Sequence, residues 1–468
     1  MADVLDTLIR SLPSGTVSTH HGELAAHARD SWALAVAQER RGAPVPPPAA
    51  IVFPKSVEHV AATLTWAQAT GIGVVVRGGG TGTNGGAEAV ARAILLDLSR
   101  MDRIGRVDEI SQTVTAEAGV RGGSLEAHLN ARGLTTGHEL ESLELSTVGG
   151  WIAAGSSGLA SNGYGGIAEM VRGLTVVLAG GEVLTLNSPG GPDLLRRLFV
   201  GTGGTFGVVT EATLTVSRMP AAYGWETFRA NSFDGGVAFI REVVQRGYRP
   251  LVARLFDREE AVARFASPGF AEAPLAVFGF DAGVPAAEGQ RFELRRLARE
   301  FGATSVGPNV GEHWWTTRRE GFARYREAMG AERGVITDAL DVAGSWRSVP
   351  RLYEGVGSAL RSHANHVGCE LIDPRTSGAG LLFSFVIRAE DERHAEDAYR
   401  EAVTTALRRC VAAGGSVTHH RGIGLLRAPY LADELGTVGA ATLRRLQAAV
   451  DPEHVMNPGK LLPPPGRG

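Results

Sequence analysis

The run Gly78-Gly79-Gly80-Thr81-Gly82-Thr83-Asn84-Gly85-Gly86 follows a short apolar stretch, GIGVVV (71–76), that reads as a buried strand. A loop with so few Cβ atoms lets backbone N–H groups converge, and converging N–H groups hold a phosphate or pyrophosphate. No Gly-Lys-Ser/Thr follows, so this is not a nucleoside-triphosphate loop. The contiguous glycines, with no acid at ribose distance, fit the dinucleotide fingerprint poorly. A second stretch, TTGHELESLELSTVGGWIAAGSSGLASNGYGG (135–166), is poor in charge and rich in hydroxyls, small residues and paired glycines. A third, GTGGTFGVVTE (201–211), runs from glycines into a β-branched strand. Each alone reads equally well as a turn or connector, but three in one region favour a large cofactor with several polar groups.

The other reactive residues lie far along the chain. His419-His420-Arg421 joins two imidazoles to a permanent cation. Without a third ligand nearby the doublet is a weak metal site, and a general base or anion-holding role suits it better. Arg254, in LVARLFD, and Arg326, in ARYREAMG, supply guanidinium forks suited to a carboxylate or phosphate. Trp314 and Trp315 read as buried structural aromatics.

These residues need a large scaffold. The chain has 468 residues, room for two or three domains, and 44% hydrophobic residues, enough for a core. With 47 basic and 50 acidic residues the net charge is −3, which argues against nucleic acid or an anionic membrane as partner. Glycine numbers 62, nearly twice the usual share of ~7%. Only Lys55 and Lys460 are lysines among the basic residues. Two cysteines, Cys369 and Cys410, cannot staple a chain this long. No secretory leader or membrane-length apolar run is visible, so the expectation is a cytoplasmic protein without a membrane span.

Residues 1–44 read as a peripheral helical segment ending in the proline-rich APVPPPAAIVFP (43–54). From Ser56, a plausible N-cap, a helix should run to a stop at Gly71. Strands follow at 71–76, 93–99 and 113–120, and a helix over 124–132. Alternation of strand and helix continues to about residue 217, giving a first domain over 45–218. Over 219–413 glycine is sparser. Strands at 251–257, 274–282 and 380–390 and helices at 234–245, 285–302 and 391–413 predict an antiparallel, ferredoxin-like α+β layer. The tail, 414–468, returns to glycines and special turns and should pack back on the first domain.

The four segments, GGGT after its strand, STVGG, GTxGxxGVVTE and the C-terminal NPGK, stand in the order of the vanillyl-alcohol-oxidase flavoprotein superfamily, with its PCMH-type FAD-binding domain, and the chain resembles that family over about residues 45–463. TGHELESLELSTVGGWI (136–152), GGSVTHHRGIGLLR (414–427) and DPEHVMNPGKLL resemble its alkylglycerone-phosphate synthase branch. RGGGTGTNG resembles the FAD-linked 2-hydroxyacid dehydrogenases. The resemblance implies an α+β fold: a two-subdomain PCMH-type FAD domain plus an antiparallel-sheet cap.

It also implies roles. Val76, Arg77, Gly78, Gly79, Gly80, Thr81 and Gly82 would hold the FAD pyrophosphate. Glu141, Ser142, Ser146, Thr147, Gly149, Gly150, Ala154, Gly155, Ser156 and Ser157 would line the ribityl chain and ring, with His138 beside them. Gly203, Gly204, Gly207, Val208 and Val209 would meet the adenosine half. Asn457 and Lys460 would stand near the ring, the lysine steadying the charge of reduced flavin. The first loop has no His or Cys, which implies non-covalent FAD. Arg254, Arg326 and Arg421 would orient an anionic substrate, and His419 or His420 would take its proton.

Departures from the family pattern matter too. DPRTSGAGLLFSF (373–385) lacks the histidine of the metal-binding members, so no metal is expected. Leu382 stands where the synthases carry an acid/base tyrosine, a third histidine is replaced by Arg421, and Gly203 occupies a glutamate position. The expected activity is therefore oxidation of a small polar, anionic alcohol or hydroxy acid by hydride transfer to flavin N5. The alternatives are a redox-neutral synthase-like transferase working through an N5 adduct, and an inactive flavin-binding protein. The expected partners are a small-molecule substrate and an electron acceptor, O2 or another carrier, with a homodimer left open.

Overall fold

The computed structural model describes residues 2–187, 193–265, 273–283 and 286–463. Three larger sheets and a two-stranded ribbon of Leu134–Thr135 with Ser217–Arg218 organise them. The first has four short strands in the order Val17–Ser18, Ile51–Val52, Ile94–Asp97, Val74–Arg77. Its central strand pairs in parallel with both neighbours, and all four residues of Ile94–Asp97 are buried. This is why the parallel strands read as unbroken apolar runs in the sequence. Helix Val57–Thr70 connects two of them. Ser56 accepts a hydrogen bond from the His59 N–H at 3.4 Å, and Gly71 closes the helix at φ +66°.

The second sheet is antiparallel, in the order Ile104–Asp108, Thr113–Glu117, Val208–Thr215, Val171–Val177, Val183–Thr185. The third, the cap sheet, has seven strands: Thr304–Gly307, Tyr223–Arg229, Leu275–Asp281, Val252–Phe256, His366–Ile372, Gly378–Arg388 and Val335–Ser345. Every pairing in it is antiparallel, so it is a larger layer than a single ferredoxin-like unit. Helices Phe233–Gln245, Ala286–Glu300, Val349–Arg361 and Glu392–Ala412 pack on one face. Register fixes what the other face presents. Asp341, Leu382 and Glu370 stand side by side across three strands, as do Thr337, Val386 and His366. The molecule is thus the α+β fold expected, a first domain built on two sheets with an antiparallel cap.

The N-terminal segment differs from expectation, while the tail returns to the first domain as expected. Residues 1–44 form helices Ala2–Ser11, His21–His27 and Ala33–Arg40, but the segment is not peripheral: Ala33, Leu34, Ala35 and Ala37 are buried. The tail contains helix Gly424–Val450, interrupted at Gly436 with φ +66°. It then runs along the edge of the first sheet, where the Val74 N–H donates to the Val455 carbonyl at 2.7 Å and the Asn457 N–H to the Val74 carbonyl at 2.8 Å.

Candidate active site

The glycine-bearing loops face the open side of the cap sheet across a cavity of about 640 Å³. The loops touch backbone to backbone. A Cβ on Gly78 would lie 2.2 Å from Thr147 Oγ1, and one on Gly79 would lie 1.9 Å from the Leu145 carbonyl oxygen. Gly80 sits at φ +65°, a conformation that favours glycine. At Gly203, φ is +62° and an added Cβ would meet nothing within 4 Å, so this loop leaves open space beside it. A smaller cavity of about 60 Å³ lies between Gly78, Gly149, Gly207, Val208 and Phe199.

Five arginines line the main cavity, four from the cap and one from the tail, and the four cap arginines have carboxylate partners. Arg254 pairs with Glu370 at 2.5 Å and lies over the Trp314 ring at 5.3 Å. Arg264 pairs with Glu260 at 2.5 Å, Arg318 with Glu139 at 3.1 Å, and Arg324 with Glu320. Arg421 differs: its hydrogen bond goes to the Ala339 carbonyl at 3.4 Å, and among the described residues no carboxylate lies within ion-pair distance of it.

Beside it, the His420 ring lines the cavity with Nδ1 at 3.5 Å from Asp341 Oδ2. Asp341 also accepts the backbone N–H groups of His419 and His420, each at 2.9 Å, and the buried Arg427 guanidinium. Burial alone would raise the Asp341 pKa. Arg427, His420 and Arg421 outweigh it and hold the carboxyl well below the usual range. With Asp341 already compensated, burial dominates at His420 and lowers its pKa to about 3, so the ring is neutral at physiological pH.

Families match the chain along most of its length. The FAD binding domain family matches residues 48–187, and the FAD linked oxidases, C-terminal domain, matches residues 220–461. The alkyldihydroxyacetonephosphate synthase of Trypanosoma brucei brucei is 30% identical over 93% of this chain and 76% of its own. The D-2-hydroxyglutarate dehydrogenase of Xanthomonas citri pv. viticola is 29% identical over 97% and 96%. A solved alkyldihydroxyacetonephosphate synthase superposes with a TM-score of 0.78 at 22% identity, covering 98% of this chain and 84% of that one, a likeness of fold. The chain belongs to the vanillyl-alcohol-oxidase/PCMH family of FAD-linked enzymes.

The family's cofactor suits these residues. The first loop offers backbone donors with no side chain in the way. Open space lies beside Gly203, and the small cavity has Leu98, Phe199 and Val208 among its lining, an apolar patch beside the first loop. Val76, Gly78, Gly79, Gly80, Thr81, Gly82, Glu141, Ser142, Ser146, Thr147, Gly150, Ala154, Ser156, Ser157 and Gly203 line the main cavity. Gly149, Gly204, Gly207, Val208 and Val209 line the small one, and Gly155 turns at φ +64° against Gly201.

Other residues lie elsewhere than expected. Arg77 turns under Gly80 and donates to the Arg29 carbonyl at 2.9 Å. His138 lies behind the wall, with Nε2 at 2.7 Å from Ser156 Oγ, and burial lowers its pKa to about 3. Asn457 accepts from the Val76 N–H at 3.0 Å and donates to the Gly203 carbonyl, tying two loops together. Lys460 is not at the cavity: it is buried behind the first loop on the Glu88 carbonyl, and burial lowers its pKa to about 8 despite Asp30 and Glu88 nearby. His419 is engaged with Asp373 at 3.1 Å, outside the cavity. Arg326 is exposed on helix Glu320–Ala331, which turns Phe322, Tyr325 and Ala328 inward instead.

Tyr325, Asp338 and Asp341 escaped sequence reasoning. The Tyr325 phenol donates to Asp338 Oδ1 at 3.1 Å, and Tyr399 donates to Oδ2 at 2.7 Å. The available signal was a pair of aspartates in a stretch otherwise fit for a strand, since strands are poor in Asp. Trp314 and Trp315 are buried in a cluster with Tyr223 and Trp225, and Trp314 also lines the cavity.

Proposed function

We propose that the protein oxidises a small anionic alcohol or 2-hydroxy acid, with non-covalently held FAD. One arrangement carries this reading: a neutral, carboxylate-facing His420 adjoins Arg421, the cavity arginine left without a carboxylate partner among the described residues. Asp341 favours the tautomer with the proton on Nδ1, which leaves Nε2 to accept the substrate hydroxyl proton. Arg421 holds the substrate's anionic group, while Arg254 and the other paired arginines build the wall. Leu382, apolar and almost fully buried at the centre of the sheet face, excludes water there. Bound FAD supplies a two-electron acceptor. The absence of His and Cys from the first loop, and the burial of Cys369 and Cys410 away from the cavity, support non-covalent attachment.

A second reading is transferase chemistry of the kind named for the synthases. The 30% identity favours it, and Leu382, which carries no proton, weighs against it. Anaerobic mixing decides between them. A hydroxy acid should bleach the flavin's visible band while a neutral alcohol of equal size does not. Arg421→Ala should lower kcat/KM for the acid by about 100-fold, chiefly through KM. If no alcohol or hydroxy acid bleaches the flavin, the oxidative reading fails.

A further inference from the structure

Residues 28–41 lie outside both family matches, the first of which begins at residue 48, yet they touch both halves of the site. On one side they pin the first glycine loop. The Ser31 N–H donates to the Gly82 carbonyl at 2.8 Å, and its hydroxyl donates to the Gly80 carbonyl at 3.1 Å. Asp30 accepts the Ala87 N–H at 3.2 Å, so the far end of the loop is held as well. On the other side the same segment grips helix Glu320–Ala331. The Tyr325 phenol shares its one proton between the Ser31 carbonyl at 3.3 Å and Asp338 Oδ1 at 3.1 Å. Arg40 donates to the Met329, Glu332 and Val335 carbonyls at 2.8, 2.6 and 2.7 Å. The first two are carbonyls at the helix C-terminus, which need partners from outside the helix. Arg40 is itself held by Glu392 at 3.0 Å, and Trp32 donates to the Tyr399 hydroxyl at 3.1 Å.

We infer that residues 28–41 form a strap of positioning residues that couples the cofactor loop to the cap helix walling the substrate cavity. Ser31 makes the link within one residue: its N–H and hydroxyl hold the loop, and its carbonyl holds Tyr325. A loop fixed by bound pyrophosphate fixes Ser31, and a fixed Ser31 seats the helix. Coupling is reciprocal, so whatever factor FAD adds to seating of the helix, the seated helix adds to FAD affinity. The inference rests on the family's cofactor and is independent of the substrate reading.

The test uses the full-length chain, with FAD as the probe. Trypsin cleavage after Arg319 and Arg326, which do not line the cavity, is followed with the flavin loaded and stripped. Cleavage within helix Ala286–Glu300, which touches neither strap nor loop, is the internal reference. FAD should slow the first set about tenfold more than the reference. FAD affinity, read from flavin fluorescence, should weaken about fivefold or more in Arg40→Ala, recover in part in Arg40→Lys, and weaken in Tyr325→Phe. Arg40 lines neither cavity, so loss of a direct cofactor contact does not explain such a change. Equal protection of both regions, or unchanged FAD affinity in both Arg40→Ala and Tyr325→Phe, overturns the strap. If Arg40→Ala does not fold, Arg40→Gln, at the same position outside both cavities, decides.

Discussion

His419 and His420 share a peptide bond and meet different partners, Asp373 and Asp341. The doublet announces acid–base chemistry in the sequence. Its division of labour depends on two carboxylates distant in the chain, one of them on a strand that sequence pattern does not reveal. His420→Gln should slow flavin reduction by about 10²–10⁴-fold, the range of a lost general base. His419→Gln should have a smaller effect, because that ring is committed to Asp373. Burial lowers the His420 pKa to about 3, so the acid limb of the wild-type rate should fall well below pH 6.5; stopped-flow reduction across pH checks this. Arg326 shows a different limit. The helix turns about 100° per residue, so reading its phase one position off moves a side chain from the cavity to solvent. Arg254 was legible as a guanidinium suited to an anion, but neither its burial nor its compensation by Glu370, 116 residues later, was.

At the scale of elements, the glycine loops and the buried parallel strands were the most legible features. Their pattern is local: apolar runs, caps at Ser56 and Gly71, and glycines where backbones meet. Strands Val335–Ser345 and His366–Ile372 were missed because Asp338, Asp341 and Glu370 interrupt their apolar pattern, and those residues face the cavity or its edge for chemical reasons. Helix Gly424–Val450 was hidden by Pro429 and Gly436, which mark it as turn-rich although the chain absorbs both. The loops also carry a prediction. Gly79→Ala places a methyl 1.9 Å from the Leu145 carbonyl oxygen, a backbone atom that cannot rotate away. The variant should purify with little or no flavin, measured as the ratio of visible to ultraviolet absorbance, whereas Gly86→Ala, where a Cβ meets nothing within 4 Å, should retain it.

Among the described residues two histidines, the buried His138 and the partly buried His420, have pKa values lowered to about 3 by burial. In the unfolded chain a histidine titrates near ~6.5. Between those values the unfolded state binds more protons, so stability rises with pH through this window and is lost on acidification. Asp341 and Asp373, both held below the usual carboxylate range, extend the loss further into acid. The urea midpoint should therefore be lower at pH 5 than at pH 7.5, and an unchanged midpoint would contradict the burial of these rings. Among the described residues no helix is long and apolar enough to cross a membrane.

The edge that Val455–Asn457 adds to the first sheet has a consequence for biosynthesis. Val76 and Asn457, which share a hydrogen bond, are 381 residues apart. At roughly 5–20 residues per second, a ribosome needs on the order of 20–80 s to travel between them. For that interval the nascent first domain has a half-made floor under its glycine loop, with Val74 and Val76 unpaired at an open edge. The apoprotein therefore becomes competent to capture its flavin only once translation has passed Asn457. In the meantime the exposed edge is a natural substrate for chaperones.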